Sequence, residues 1–106
     1  NVTTPATQAR SDSAADRRER KRSEAERRKA LQPLRRAVAS CEEQLERLQT
    51  RQAELEAALA DNTLYSDQRK GELQRLLHDK AAVDQQLKAA EDAWMQAAEA
   101  LERAEV

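Results

Sequence analysis

A chain of 106 residues is long enough for one domain, but 37% of it is charged, Phe is absent, and Tyr65 and Trp94 are its only aromatic residues. That excludes a thick globular core, and an excess of Ala, Glu, Leu, Arg and Gln with a single Gly and two Pro favours long helices over strands, so the fold class is all-α. Formal net charge is −1, yet ten of the nineteen Lys and Arg fall between Arg17 and Arg36, so the balanced total conceals a dipolar layout.

Cys41 is the only cysteine, which excludes an internal disulfide, leaves no metal-ligand cluster and suits a reducing cytoplasm. No apolar run approaches the roughly 20 residues that cross a bilayer, and no apolar secretory segment opens the chain. A cytoplasmic chain without membrane contact is therefore expected. Its start at Asn1 rather than Met leads to the expectation of a fragment of something larger or a processed chain.

Residues 1–12, rich in Thr and Ser around Pro5, have no apolar periodicity to repay ordering and read as a flexible linker. Residues 13–32 are strong helix formers with almost no apolar stripe, so the expectation is a basic segment that is helical only in part. Pro33 removes a backbone donor and biases Gln32 away from the α region, which predicts a stop or kink.

Residues 33–106 read as an antiparallel coiled-coil hairpin. Leu31, Leu34, Val38, Cys41, Leu45, Leu48, Gln52, Leu55 and Leu59 follow one another at alternating spacings of three and four, an unbroken heptad seam. Asp61, Asn62 and Thr63 interrupt it, so the turn falls at about 61–66, where Ser66 is placed to cap the second helix. The spacing resumes with Leu73, Leu76, Lys80, Val83, Leu87, Ala90, Trp94, Ala97 and Leu101. Antiparallel partners have numbers with a constant sum, and the two seams pair in nine layers whose numbers add to 131 or 132.

That register places the only polar seam residues, Gln52 and Lys80, in one layer where each can pair with the other, a device that fixes alignment at some cost in stability. It sets Trp94 opposite Val38 in a stretch crowded with alanine, large against small. Glu43 with Arg47 and Asp84 with Lys88 stand at i, i+4 and support their helices. Leu64 and Tyr65 are expected to fold over the hairpin tip.

Nothing in the chain supplies catalysis or a cofactor site: there is no Gly-rich loop, no His and Cys set with metal spacing and no nucleophile with its base. His78 lies off the seam among polar neighbours and reads as solvated, and Cys41 reads as a small apolar seam residue. The expectation is a non-catalytic element. Its candidate binding residues are the cations Arg17, Arg18, Arg20, Lys21, Arg22, Arg27, Arg28, Lys29, Arg35 and Arg36. If the register continues through Pro33, Glu102 and Glu105 stand beside Arg27, Arg28 and Lys29, while Arg17 to Arg22 lie beyond the end of the second helix and are the best placed for phosphate. With no aromatic platform among them, any such binding is to the nucleic-acid backbone and salt-sensitive. The alternative is a structural coiled coil that holds protein partners or self-associates. The isolated domain is expected as a monomer, with a swapped dimer satisfying the same layers.

The basic run into Arg27, Arg28, Lys29, Ala30, Leu31, Gln32, Pro33, Leu34, Arg35 and Arg36 precedes a leucine heptad. There follow Ala58-Leu59-Ala60-Asp61-Asn62-Thr63-Leu64-Tyr65 and a return helix with Trp94 near its end. Together these resemble the C-terminal domain of ABC-F ATPases over roughly residues 17–106, nearest the YheS branch with the Uup branch next. ABC-F proteins are cytoplasmic ATPases with two nucleotide-binding cassettes and no membrane domain, and many act on the ribosome in translation. The resemblance implies an appendage that follows the second cassette, tethered by residues 1–16. It also implies a nucleic-acid target, DNA as in the Uup branch or ribosomal RNA or protein as in ribosome-bound members. The ATP-binding motifs of the family are not in this chain.

Overall fold

The computed structural model describes residues 3–106, with side chains from Ser13 onward. Of the linker expected at 1–12, residues 1 and 2 lie outside the described residues and 3–12 outside the described side chains. Helix α1 (Thr3–Leu59) and helix α2 (Lys70–Glu105) are joined by two 3-10 turns, Asn62–Tyr65 and Asp67–Arg69. The chain divides into two compact units, residues 1–33 and 34–106.

In the first unit, residues 13–32 are helical throughout, where partial helicity was expected. They continue in one helix with the following arm, which spares them the unfavourable nucleation step that makes a short isolated helix marginal. Pro33 likewise lies inside α1 and does not end it. A proline costs a helix one amide donor and crowds the carbonyl four residues earlier, a penalty a long helix of good formers tolerates.

The second unit is the hairpin. Every seam residue from Leu34 to Leu59 and from Leu73 to Leu101 is buried or half-buried, whereas nearly all the intervening positions are exposed. Leu48, Leu55, Val83 and Leu87 form the buried centre, with Leu45, Leu76 and Ala90 packed against it. Two cross-arm contacts fix the direction: Gln52 reaches Asp84 and, four residues on, Glu56 reaches Lys80, four residues back. On the other flank Arg51 pairs with Asp79 at 3.8 Å. The all-α antiparallel hairpin read from the heptads is the observed fold.

The tip corrects one expectation. Ser66 makes no side-chain cap bond and α2 starts without one; the cap at the tip belongs to the first 3-10 turn, where Asp61 Oδ1 accepts from the Thr63 amide at 3.0 Å and the Thr63 hydroxyl at 2.8 Å. The extended backbone of Asp61 (φ −71°, ψ 115°) suits that role, because a carboxylate there faces the free amides of the turn that follows. Leu64 is fully buried beneath the tip, but Tyr65 stays 59% exposed and donates its hydroxyl to the Leu59 carbonyl at 2.7 Å. That bond satisfies one of the carbonyls a helix end leaves without an internal partner.

The polar layer also differs from expectation. Gln52 and Lys80 do not pair with each other; both donate to Asp84, Gln52 Nε2 to Oδ1 and Lys80 Nζ to Oδ2, each at 2.8 Å. A carboxylate is a stronger acceptor than a neutral amide oxygen, so it takes both donors. Asp84 is thereby bound to Lys80 and Gln52 where Lys88 was expected, and Arg47 donates to Gln44 Oε1 at 3.0 Å where Glu43 was expected.

Candidate nucleic-acid interface

In the first unit the cations Arg17, Arg18, Arg20, Lys21, Arg22, Arg27, Arg28 and Lys29 are all exposed on α1. At 100° per residue Arg17, Arg18, Lys21, Arg22, Arg28 and Lys29 share one sector about 140° wide, while Glu19 and Glu26 fall on the opposite side. Glu24 borders the sector, with Arg20 and Arg27 beyond it. Along the axis the six cations span about 18 Å. Arg17 Nε and Arg20 Nε donate to the carbonyls of Ser13 and Asp16, at 3.3 and 3.4 Å, bonds that lay the side chains along the helix without neutralising them. Among the described residues, Arg18, Lys21, Arg22, Arg28 and Lys29 meet no carboxylate at ion-pair distance, whereas Arg27 is engaged.

In the second unit Arg35 and Arg36 are exposed at the start of the hairpin arm. His78 is exposed and Cys41 is a half-buried free thiol.

Two features of the hairpin escaped the sequence reading. The first is Arg69, which holds the tip together. Its Nε and Nη2 grip both oxygens of Glu72 at 2.9 and 3.0 Å, and its Nη1 reaches Asp61 Oδ2 at 3.2 Å and Thr63 Oγ1 at 2.6 Å. Those hydrogen bonds hold the carboxyls of Glu72 and Asp61 below their ordinary range, Asp61 chiefly through Thr63 and then through Arg69. The second is Trp94, which borders two shallow grooves. One, of about 370 Å³, is lined by Val38, Trp94, Ala98 and Leu101 with Glu102 and Glu105; the other, of about 420 Å³, by Leu45, Gln49 and Trp94 with Glu42, Glu46 and Glu91. The indole Nε1 is buried without an acceptor. The heptad positions flanking the seam would have pointed to this groove, since Glu42 and Glu91 stand beside it on the same side.

The second unit is thus a helical hairpin, and the first is a helical segment with a cationic sector. The chain matches the ABC transporter C-terminal domain family over residues 29–99 of its 106, and it belongs to that family. The match takes in Lys29, Arg35 and Arg36 and leaves Arg17 to Arg28 outside it. No curated protein and no solved structure matches the chain. Among the described residues no helix is long and apolar enough to cross a membrane.

Proposed function

We propose that this chain is the non-catalytic C-terminal domain of a cytoplasmic ABC-F ATPase, and that it binds nucleic acid, free or in the ribosome, through phosphate contacts. The observation that carries this reading is the cationic sector of α1. Six exposed cations lie along about 18 Å of one helix face, and duplex DNA presents one negative charge per roughly 1.7 Å of its axis. Cations that meet no carboxylate keep their full charge for a polyanion, and binding releases the counterions condensed on it. In this reading the hairpin acts as a stiff support for the cationic helix. The ABC-F assignment draws on the resemblance carried by the basic run, the tip and Trp94, and accords with membership of the ABC C-terminal domain family.

The test is the affinity of the chain for duplex DNA and for ribosomal RNA at several salt concentrations, beside a variant with Arg17, Arg18, Arg20, Lys21 and Arg22 changed to Gln. Four or five phosphate contacts give a slope of log affinity against log salt near −4 on B-DNA, most of it lost in the variant. Equal and negligible binding by both proteins would overturn the reading.

A further inference from the structure

We infer that the Trp94 groove of the hairpin is a docking site for the basic helix of a second copy of this chain. The two flanks of the seam differ in charge. On one flank the heptad sets Ala37, Gln44 and Arg51 against Asp79, Gln86, Ala93 and Ala100, small or neutral except for Arg51 and Asp79, which pair with each other. On the other, the floor of Leu45 and Trp94 is rimmed by Glu42, Glu46 and Glu91, with no cation among the residues that line it. Among the described residues these three carboxylates make no hydrogen bond or ion pair, in contrast to Asp84 and Glu56, which Lys80 engages farther along.

An apolar floor between acidic rims fits a helix whose long basic side chains lay their methylene stems on the floor and their charges at the rims. A guanidinium over the indole face adds a cation–π contact. Residues 17–29 of α1 have this chemistry, since their small residues are Ser23 and Ala25 and six of their eight cations occupy one sector. The lengths are comparable: the two grooves run from Val38 to Gln49 on one arm and from Glu91 to Glu105 on the other, about 16 and 21 Å of helix, against about 18 Å for the cations. Each copy carries both halves of the contact, so the concentrated protein dimerises in place of the monomer expected from the sequence.

This inference does not rest on the nucleic-acid reading, because its test contains no nucleic acid. Sedimentation equilibrium at low ionic strength should show the mass of the wild-type chain rising with concentration from 12.0 kDa toward twice that value, and salt should reverse the rise. A variant with Glu42→Gln, Glu46→Gln and Glu91→Gln should associate at least about tenfold more weakly while keeping the helicity of the parent. The Arg17 to Arg22 glutamine variant should behave likewise. A mixture of the two should associate more than either alone, since one supplies an intact groove and the other an intact basic helix. A wild-type chain that stays at 12.0 kDa throughout, or an association that persists in the glutamate variant and in high salt as a swapped hairpin would, overturns the proposal.

Discussion

Gln52 on one arm of the hairpin and Asp84 on the other are joined across the seam by a 2.8 Å hydrogen bond, and Lys80 holds the second oxygen of the same carboxylate. One exposed acid thus satisfies the two polar side chains that interrupt an otherwise apolar seam. Replacing Asp84 with Ala strands Gln52 at a half-buried position and leaves Lys80 only Glu56 at 4.0 Å, and the thermal midpoint should fall. Replacing Gln52 and Lys80 together with Leu should raise it, because a continuous leucine seam removes the desolvation cost. The same double variant loses the device that sets alignment, so spin labels at Arg47 and Gln85 should report a broader distance distribution than in the parent. A sharp, unchanged distribution would show that the turn alone fixes the register.

The acids of the tip and the polar layer give the fold a pH dependence of known sign. Hydrogen bonds depress Asp61 (chiefly Thr63) and Asp84 (Lys80, then Gln52) below their ordinary 3.8, and Glu72 (Arg69) below 4.5. A carboxyl depressed in the folded state stabilises it above the unfolded value, and that contribution is lost as pH falls through the folded one. The melting temperature should therefore hold from neutrality to about pH 5 and decline below about pH 4. Lys80, raised above 10.5 by Asp84, contributes below that value and loses its contribution as pH rises through its raised one. Melting followed by circular dichroism across this range tests both limbs.

Leu64 is fully buried at the hairpin tip. Leu64→Ala should cost about 2–4 kcal/mol, a large fraction of the stability of so small a unit. Hydrogen exchange localises the effect: the amides of Leu64, Ser66 and Arg69, which bond the carbonyls of Asp61, Thr63 and Ser66, should lose protection first. Uniform loss along both arms would mean that the tip and the seam unfold as one unit.

Much of this molecule was legible as spacing. Alternating steps of three and four named the seam, and the constant sum of paired numbers gave the register, because both follow from the helical repeat alone. Asp84 was not legible, since heptad position says which side chains face one another and not which exposed acid a long donor will reach. Asp61 and Ser66 both have extended backbone and each precedes a turn, but only the Asp61 carboxylate reaches an amide of the turn that follows, which composition does not reveal. The cations of α1 were visible as a run, but their gathering into one sector required a helix unbroken through residues the sequence reading left partly disordered.

Gly71 sits in the first turn of α2 with open space where a Cβ would project, and its backbone does not use a positive φ. It therefore carries the entropic cost of glycine in a helix with none of the uses that justify one. Gly71→Ala should stabilise the hairpin by about 0.5–1 kcal/mol, seen as a higher urea midpoint with an unchanged slope. A destabilised variant would point to a contact made by this turn beyond the hairpin itself.

Pro33 presents the opposite case, a residue that resists the helix it stands in. It cannot donate to the Lys29 carbonyl, and its ring crowds that oxygen, so the helix through this point is held by its neighbours against a penalty of up to about 3 kcal/mol. Pro33→Ala restores the donor and removes the crowding. The ellipticity at 222 nm should become more negative, and the amides of residues 30–36 should exchange more slowly. If instead Pro33 were serving as the first residue of a helix that starts there, as proline does without penalty, the substitution would change neither quantity. The measurement thus distinguishes one continuous α1 from two helices that abut, and it does so without reference to any ligand.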